Sequence, residues 1–213
     1  MKPYVHLNAA MSINGKIALT DKSIEISQKE DKIRVHELRA KYDSIMVGIN
    51  TILKDNPHLT VKYAKGKNPI RIVIDSRGRT PLNARVLNNQ AKTIIVVGNR
   101  APKERIDLLK KHAEIIFCGE NEVDLHELMK ILWNRGIKSI LLEGGGTLNW
   151  SMLKGRLVDY ISVYIGSTVF GGKNAPTLVN GEGFKDIQEC IKLRLVKNYF
   201  LNNGIVLEYE VIK

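Results

Sequence analysis

Short apolar runs bounded by turn residues recur along the chain, and they predict alternating strands and helices. The runs Tyr4–Ala10, Ser44–Val47, Arg71–Asp75, Thr93–Val97, Glu114–Phe117, Ser139–Leu142 and Tyr160–Ile165 are brief and rich in β-branched residues, which favours strand over helix. The stretches 70–75 and 93–97 show no polar alternation, the pattern of strands covered on both faces of a largely parallel sheet. Helices fill the gaps. Ser27-Gln28-Lys29-Glu30 has the form of a capping box ahead of Ile33, Val35 and Leu38. Asp124-Leu125-His126-Glu127 has it again ahead of Leu128, Ile131 and Leu132, with Gly136 as the stop. Pro102 precedes a third helix over Glu104–His112, and a fourth begins at Thr147. Near the C-terminus the pattern changes to alternation. Leu193–Leu201 and Ile205–Val211 predict an antiparallel hairpin joined across Asn202-Asn203-Gly204. The expectation is one α/β domain over residues 1–213, with a mixed, mostly parallel sheet and a closing hairpin.

Composition narrows the class. An apolar share of 44% supports a sizeable core, and no apolar run approaches the ~20 residues that span a bilayer. Met1–Leu7 is too short and polar for a secretory signal, so a cytoplasmic protein with no membrane partner is expected. Cys118 and Cys190 have no metal-ligand spacing and are read as small buried hydrophobes. The formal charge of +11 suits anionic partners. The basic residues are scattered and aromatics make up 6%, so there is no stacking platform for nucleic acid; anionic small ligands account for the charge at least as well as nucleic acid does, and a general surface bias for solubility is the third reading.

Candidate chemistry lies at strand ends, where ligands of open α/β sheets bind. The richest stretch is Leu142-Glu143-Gly144-Gly145-Gly146-Thr147-Leu148: a strand end, a carboxylate, three glycines and a helix start. Glycines let the backbone turn sharply and approach a ligand, and the N–H groups of a new helix favour an anion. A plain tight connection is the other reading. Asp75-Ser76-Arg77-Gly78-Arg79 and Gly98-Asn99-Arg100 offer arginines beside small residues, which suits a second phosphate or an ordinary surface. Thr51 and Asp55 precede Asn56-Pro57 and fit a helix end or a ligand's amide or hydroxyl. Ala9–Ala18 reads as strand, turn at Asn14-Gly15 and strand, with small Ala9 and Ala10 admitting a flat ring and Lys16 adding charge. The chain has no Gly-x-Ser-x-Gly elbow, Walker lysine or Gly-x-Gly-x-x-Gly fingerprint, and its histidines lack ligand spacing, so no metal site is expected.

Taken together, Met11–Lys16, Leu38-Arg39-Ala40, Val47-Gly48, Thr51–Val61, Arg71–Ser76, Glu143–Leu148 and Leu157-Val158-Asp159 resemble, in order and over nearly the whole chain, the reductase of riboflavin biosynthesis. The chain is similar to the stand-alone archaeal and fungal type, without a fused deaminase. The resemblance implies a dihydrofolate-reductase-like, three-layer fold and a homodimer. It implies NADPH, with NADH as the alternative donor, and reduction of the ribosylamino group of a phosphorylated pyrimidine substrate to ribitylamino. The same resemblance assigns Ala10, Thr51, Asp55, Ser76, Gly145, Gly146, Thr147 and Leu148 to the cofactor. It assigns Ser23, Arg39, Leu59, Lys62 and Glu143 to the substrate; Glu143 and Asp55 are the nearest acids by motif and the catalytic candidates, either as proton donors or as acceptors of hydrogen bonds from the pyrimidine amino groups. Asn14 departs from the family, which usually has aspartate there. Reduction of the deaminated compound, a dihydrofolate- or pterin-type reductase, a nucleotide-binding regulator and a basic nucleic-acid-binding module are the competing readings.

Overall fold

A computed structural model describes residues 1–20, 24 and 26–213. Among these residues the strands are β1 (Tyr4–Ser12), β2 (Ser44–Gly48), β3 (Ile70–Ile74), β4 (Thr93–Val97), β5 (Glu114–Phe117), β6 (Ser139–Leu142), β7 (Tyr160–Gly166), β8 (Leu193–Leu201) and β9 (Gly204–Val211). The helices are α1 (Lys29–Lys41), α2 (Ile49–Asp55), α3 (Lys103–Leu109), α4 (Leu125–Asn134) and α5 (Gly146–Lys154). The class is α/β, and the strands are mixed and mostly parallel, as the apolar pattern predicts.

The chain groups into two compact units. One comprises Met1–Tyr4 and His36–Leu141, the other Val5–Val35 and Leu142–Lys213. In the first, strands run β5-β4-β3-β2-β6, and the pairs β2/β3, β3/β4 and β4/β5 are parallel. Every residue of β4 is buried, which explains why its sequence carries no polar alternation. Ile52 of α2, Ile106 and Leu109 of α3 pack with Ile45, Val73 and Ile95 in one apolar cluster. Each such side chain gains roughly 1.5–3 kcal/mol by leaving water. Arg71, on β3, is fully buried. Its guanidinium donates to the carbonyls of Asn88 (2.6 Å), His58 (3.4 Å) and Ala91 and to Asn88 Oδ1 (2.9 Å). Burial pushes its pKa down to about 10, which still leaves it charged at neutral pH.

In the second unit the order is β1-β7-β9-β8; β1/β7 is parallel, and β7/β9 and β9/β8 are antiparallel. Beneath its apolar residues lies a polar chain that periodicity does not disclose. The Ser162 hydroxyl donates to Asn8 Oδ1 at 2.9 Å, so it accepts from His6 Nε2 at 2.7 Å and from Arg34 Nη1 at 3.4 Å. Arg34 in turn donates to Asp31 at 2.7 Å. This fixes the His6 tautomer with its proton on Nε2.

Four expectations need correction. Lys16–Ala18 forms no strand; Lys16 makes an isolated bridge to Thr177, because its backbone partner arrives from far along the chain. Gly204 is not a turn residue. Leu201 pairs with Gly204 across Asn202-Asn203, and Asn202 takes the positive φ of 51°. Ser27 does not cap α1; its hydroxyl donates to the Asp31 carboxylate. Cys190 is half-buried, whereas Cys118 is buried. Burial, then the neighbouring Glu127, pushes the Cys118 thiol up to about 12, so it packs as an inert hydrophobe.

Candidate functional site

The glycine turn builds a cradle at the start of α5. After β6, Gly144 takes φ +85°, a left-handed conformation that a side chain would strain. The Gly144–Gly145 peptide is cis, and Gly145 is the N-cap residue, with no side chain capping the helix. The first-turn N–H groups are those a helix leaves without intrahelical partners. A Cβ on Gly146 would stand 2.5 Å from the Thr177 carbonyl oxygen, so only glycine fits there. Behind the turn lies Asn149, 1% exposed. Its Nδ2 donates to the Leu178 carbonyl at 2.8 Å, while its Oδ1 is buried without a hydrogen-bond partner. A Cβ built on Gly144 would be 3.5 Å from that oxygen. An unpaired buried acceptor costs about 1–3 kcal/mol. Uncapped helix N–H groups, bare backbone and an unpaired acceptor together fit a ligand that carries phosphate and hydrogen-bond donors, as a dinucleotide does.

Other candidates of this unit sit nearby in sequence. Ala10 is half-buried on β1, opposite Tyr164 of β7. Glu143 is half-buried at the end of β6 and Thr147 is exposed on the first turn of α5, whose Leu148 is buried. Lys16 is half-buried. Its ammonium donates to the Ala175 carbonyl at 2.8 Å. Ser23 lies outside the described residues.

In the first unit Thr51, Asp55, Arg39, Leu59 and Lys62 lie on α1, α2 and the segment that follows α2. Thr51 is half-buried inside α2, and Asp55 is its exposed last residue. Asn56 closes the helix with φ 41°, its N–H donating to the Ile52 carbonyl, and its side chain accepts from the Arg85 amide at 2.8 Å. Leu59 has φ 53° and buries its side chain in the apolar cluster. Arg39 of α1 donates to the Thr60 carbonyl at 3.2 Å. The Lys62 amide donates to His36 Nδ1 at 2.9 Å. Arg39, Leu59 and Lys62 are thus brought together, with Arg71 donating to the His58 carbonyl from behind.

The strand-end loops differ in what they leave available. Asp75 is buried and accepts from both the amide and the hydroxyl of Thr80 at 2.7 Å. Arg105 donates to the carbonyls of Gly78 (3.1 Å) and Thr80 (2.7 Å), so the 75–80 turn is rigidly held. Ser76 Oγ accepts from the Val123 amide at 3.2 Å. Arg77 is exposed, Arg79 lies 3.9 Å from Asp75 Oδ1, and Arg100 lies 3.5 Å from Glu120. Sequence reasoning missed Asn149. A polar residue on the buried face of α5, between Leu148 and Met152, was the available signal.

Among the described residues no group of side chains could hold a metal ion, and no helix is long and apolar enough to cross a membrane. The RibD C-terminal domain family matches residues 3–207. The 2,5-diamino-6-ribosylamino-4(3H)-pyrimidinone 5′-phosphate reductase of Methanothermobacter thermautotrophicus is 50% identical over 214 residues, covering 99% of each chain. The protein of the same name from Aquifex aeolicus is 42% identical, covering 99% of this chain and 97% of that one. Among solved structures, a deaminase/5-amino-6-(5-phosphoribosylamino)uracil reductase from Thermotoga maritima superposes with a TM-score of 0.82 at 26% identity. This chain is covered to 99% in that superposition and spans 57% of the Thermotoga chain.

Proposed function

We propose, for a chain that belongs to the RibD C-terminal domain family and is an oxidoreductase, that it reduces 2,5-diamino-6-ribosylamino-4(3H)-pyrimidinone 5′-phosphate to its ribitylamino product in riboflavin biosynthesis. The observation that carries the reading is the uncapped glycine turn at α5 in a chain 50% identical to a reductase of that name. The turn residues Gly145, Gly146, Thr147 and Leu148 hold the cofactor's phosphates, with Ala10, Thr51, Asp55 and Ser76 as further contacts. When bound, the nicotinamide supplies the hydride that the substrate's C1′ receives. Exposed Arg77 and Arg79 are the candidates for a 2′-phosphate, which favours NADPH over NADH.

The protein's own tasks are few. Ring opening of the ribosylamine turns C1′ into an imine and leaves the former ring oxygen as a hydroxyl. Glu143 and Asp55 are placed by motif to hold a proton at the imine nitrogen or at that oxygen. Arg39 and Lys62 bind the 5′-phosphate, and the Leu59 main chain borders the pyrimidine. A homodimer in the cytoplasm completes the reading. The exposed apolar edge of β8, with Leu195, Val196 and Phe200, supports the dimer.

The test is loss of absorbance at 340 nm with the diamino and the deaminated substrate side by side, each with NADPH and NADH. Turnover of the diamino compound with NADPH is expected to dominate. Preference for the deaminated compound, or for an unphosphorylated pterin, would overturn the assignment. Glu143→Gln and Asp55→Asn should slow single-turnover hydride transfer; loss of a general acid costs about 100-fold or more. A normal rate in both would remove them as acids.

A further inference from the structure

Residues 168–180 form a strap outside the regular strands, with Thr177 in an isolated bridge, and side chains tie it down on both flanks. On one flank is the turn that follows β1. The Ile13 amide donates to the Thr168 carbonyl at 2.9 Å, the Ile17 amide to Pro176 at 2.9 Å, and Lys16 Nζ to Ala175 at 2.8 Å. Asn14 makes the central contact. Its Nδ2 donates to the Phe170 carbonyl at 2.6 Å while its Oδ1 accepts from the Phe170 amide at 3.1 Å and from the Ser12 hydroxyl at 2.8 Å. On the other flank is the glycine turn. The Asn180 amide donates to the Gly146 carbonyl at 3.0 Å, and Asn149 Nδ2 donates to Leu178. The Thr177 carbonyl oxygen lies 2.5 Å from where a Cβ on Gly146 would stand.

We infer that Asn14 is a positioning residue for cofactor binding, acting through this strap to hold the glycine turn in its receptive shape. The inference rests on the proposed cofactor site. Phe170 presents both its N–H and its C=O to one side chain, and a carboxamide answers both. A carboxylate accepts but does not donate at neutral pH, and its oxygen would face the Phe170 carbonyl with like polarity. Asn14 therefore latches the strap in a way aspartate does not. Nothing in this role touches the reacting atoms, so it acts on cofactor affinity and leaves chemistry at saturation intact.

The experiment combines NADPH titration with hydrogen exchange on full-length wild type, Asn14→Asp and Lys16→Met. Both substitutions should speed amide exchange across 168–180 and weaken NADPH binding by about tenfold, the effect of one or two lost hydrogen bonds. The turnover number at saturating NADPH should stay within about a factor of two of wild type, as expected for lost binding contacts outside the chemistry. Lys16→Met releases the same strap at Ala175, so it carries the test if Asn14→Asp fails to fold. A strap that loosens with NADPH affinity unchanged, or one that does not loosen in either variant, overturns the inference. Failure of the cofactor-site reading gives a separate result: NADPH would then fail to protect the amides of 144–148 in wild type.

Discussion

Gly204 illustrates how much can hang on one missing methyl group. It follows two asparagines, and its sequence context suggests a turn. In the folded chain it is the first residue of β9, and a Cβ there would stand 2.5 Å from the Tyr164 ring and 2.6 Å from the Ile165 carbonyl oxygen. Tyr164 is 1% exposed, so it has no room to withdraw. Gly204→Ala should therefore lower stability by about 1–3 kcal/mol, the usual cost of overpacking. Urea unfolding measures this, and a midpoint equal to wild type would show that the ring yields. Arg71 makes a related point. Arginine is ordinarily a surface cation, and this one is fully buried. The carbonyls of His58, Asn88 and Ala91 surround it, and its Nε has no partner. It joins the segment after α2 to the loop before β4.

Among the elements, the helix starts separate two outcomes of one motif. Asp124 caps α4 as its pattern predicts, its carboxylate accepting from the Glu127 amide at 3.0 Å. Ser27 carries the same kind of signal and gives its hydroxyl to Asp31 instead, because Asp31 is buried and also binds Arg34. Asp124→Ala should cost about 1 kcal/mol, with faster exchange of the Glu127 amide. Ser27→Ala should leave the exchange of the α1 amides near wild type. If Ser27→Ala frays α1 as Asp124→Ala frays α4, the distinction between the two starts fails. The strands behave more uniformly. β4, β5, β6 and β8 have the bounds that their apolar patterns predict, and the other strands differ from theirs by two residues or fewer at each end.

For the molecule as a whole, β8 is a strand hydrogen-bonded on one side alone among the described residues, as β5 is, and it carries the more exposed apolar side chains. It ends the strand order, and Leu195, Val196 and Phe200 are 50%, 50% and 85% exposed. The homodimer of the proposed reading should sediment at roughly twice the 24.0 kDa chain mass, and Phe200→Glu should shift it toward the monomer. A monomeric wild type would refute this. The β-branched runs were enough to foretell the α/β class and the mostly parallel strands, since burial on both faces leaves its mark residue by residue. The three glycines after Glu143 were equally plain, because a left-handed φ and a bare helix start are local requirements. What no local pattern revealed were the pairings over long separations. Asn14 meets Phe170, Lys16 meets Thr177, and His6 meets Ser162, each about 155 or more positions along the chain. Hydrogen bonds of that kind exist only once the backbone has folded back on itself. Side-chain chemistry was therefore readable in advance, while the choice of partners waited on the assembled fold.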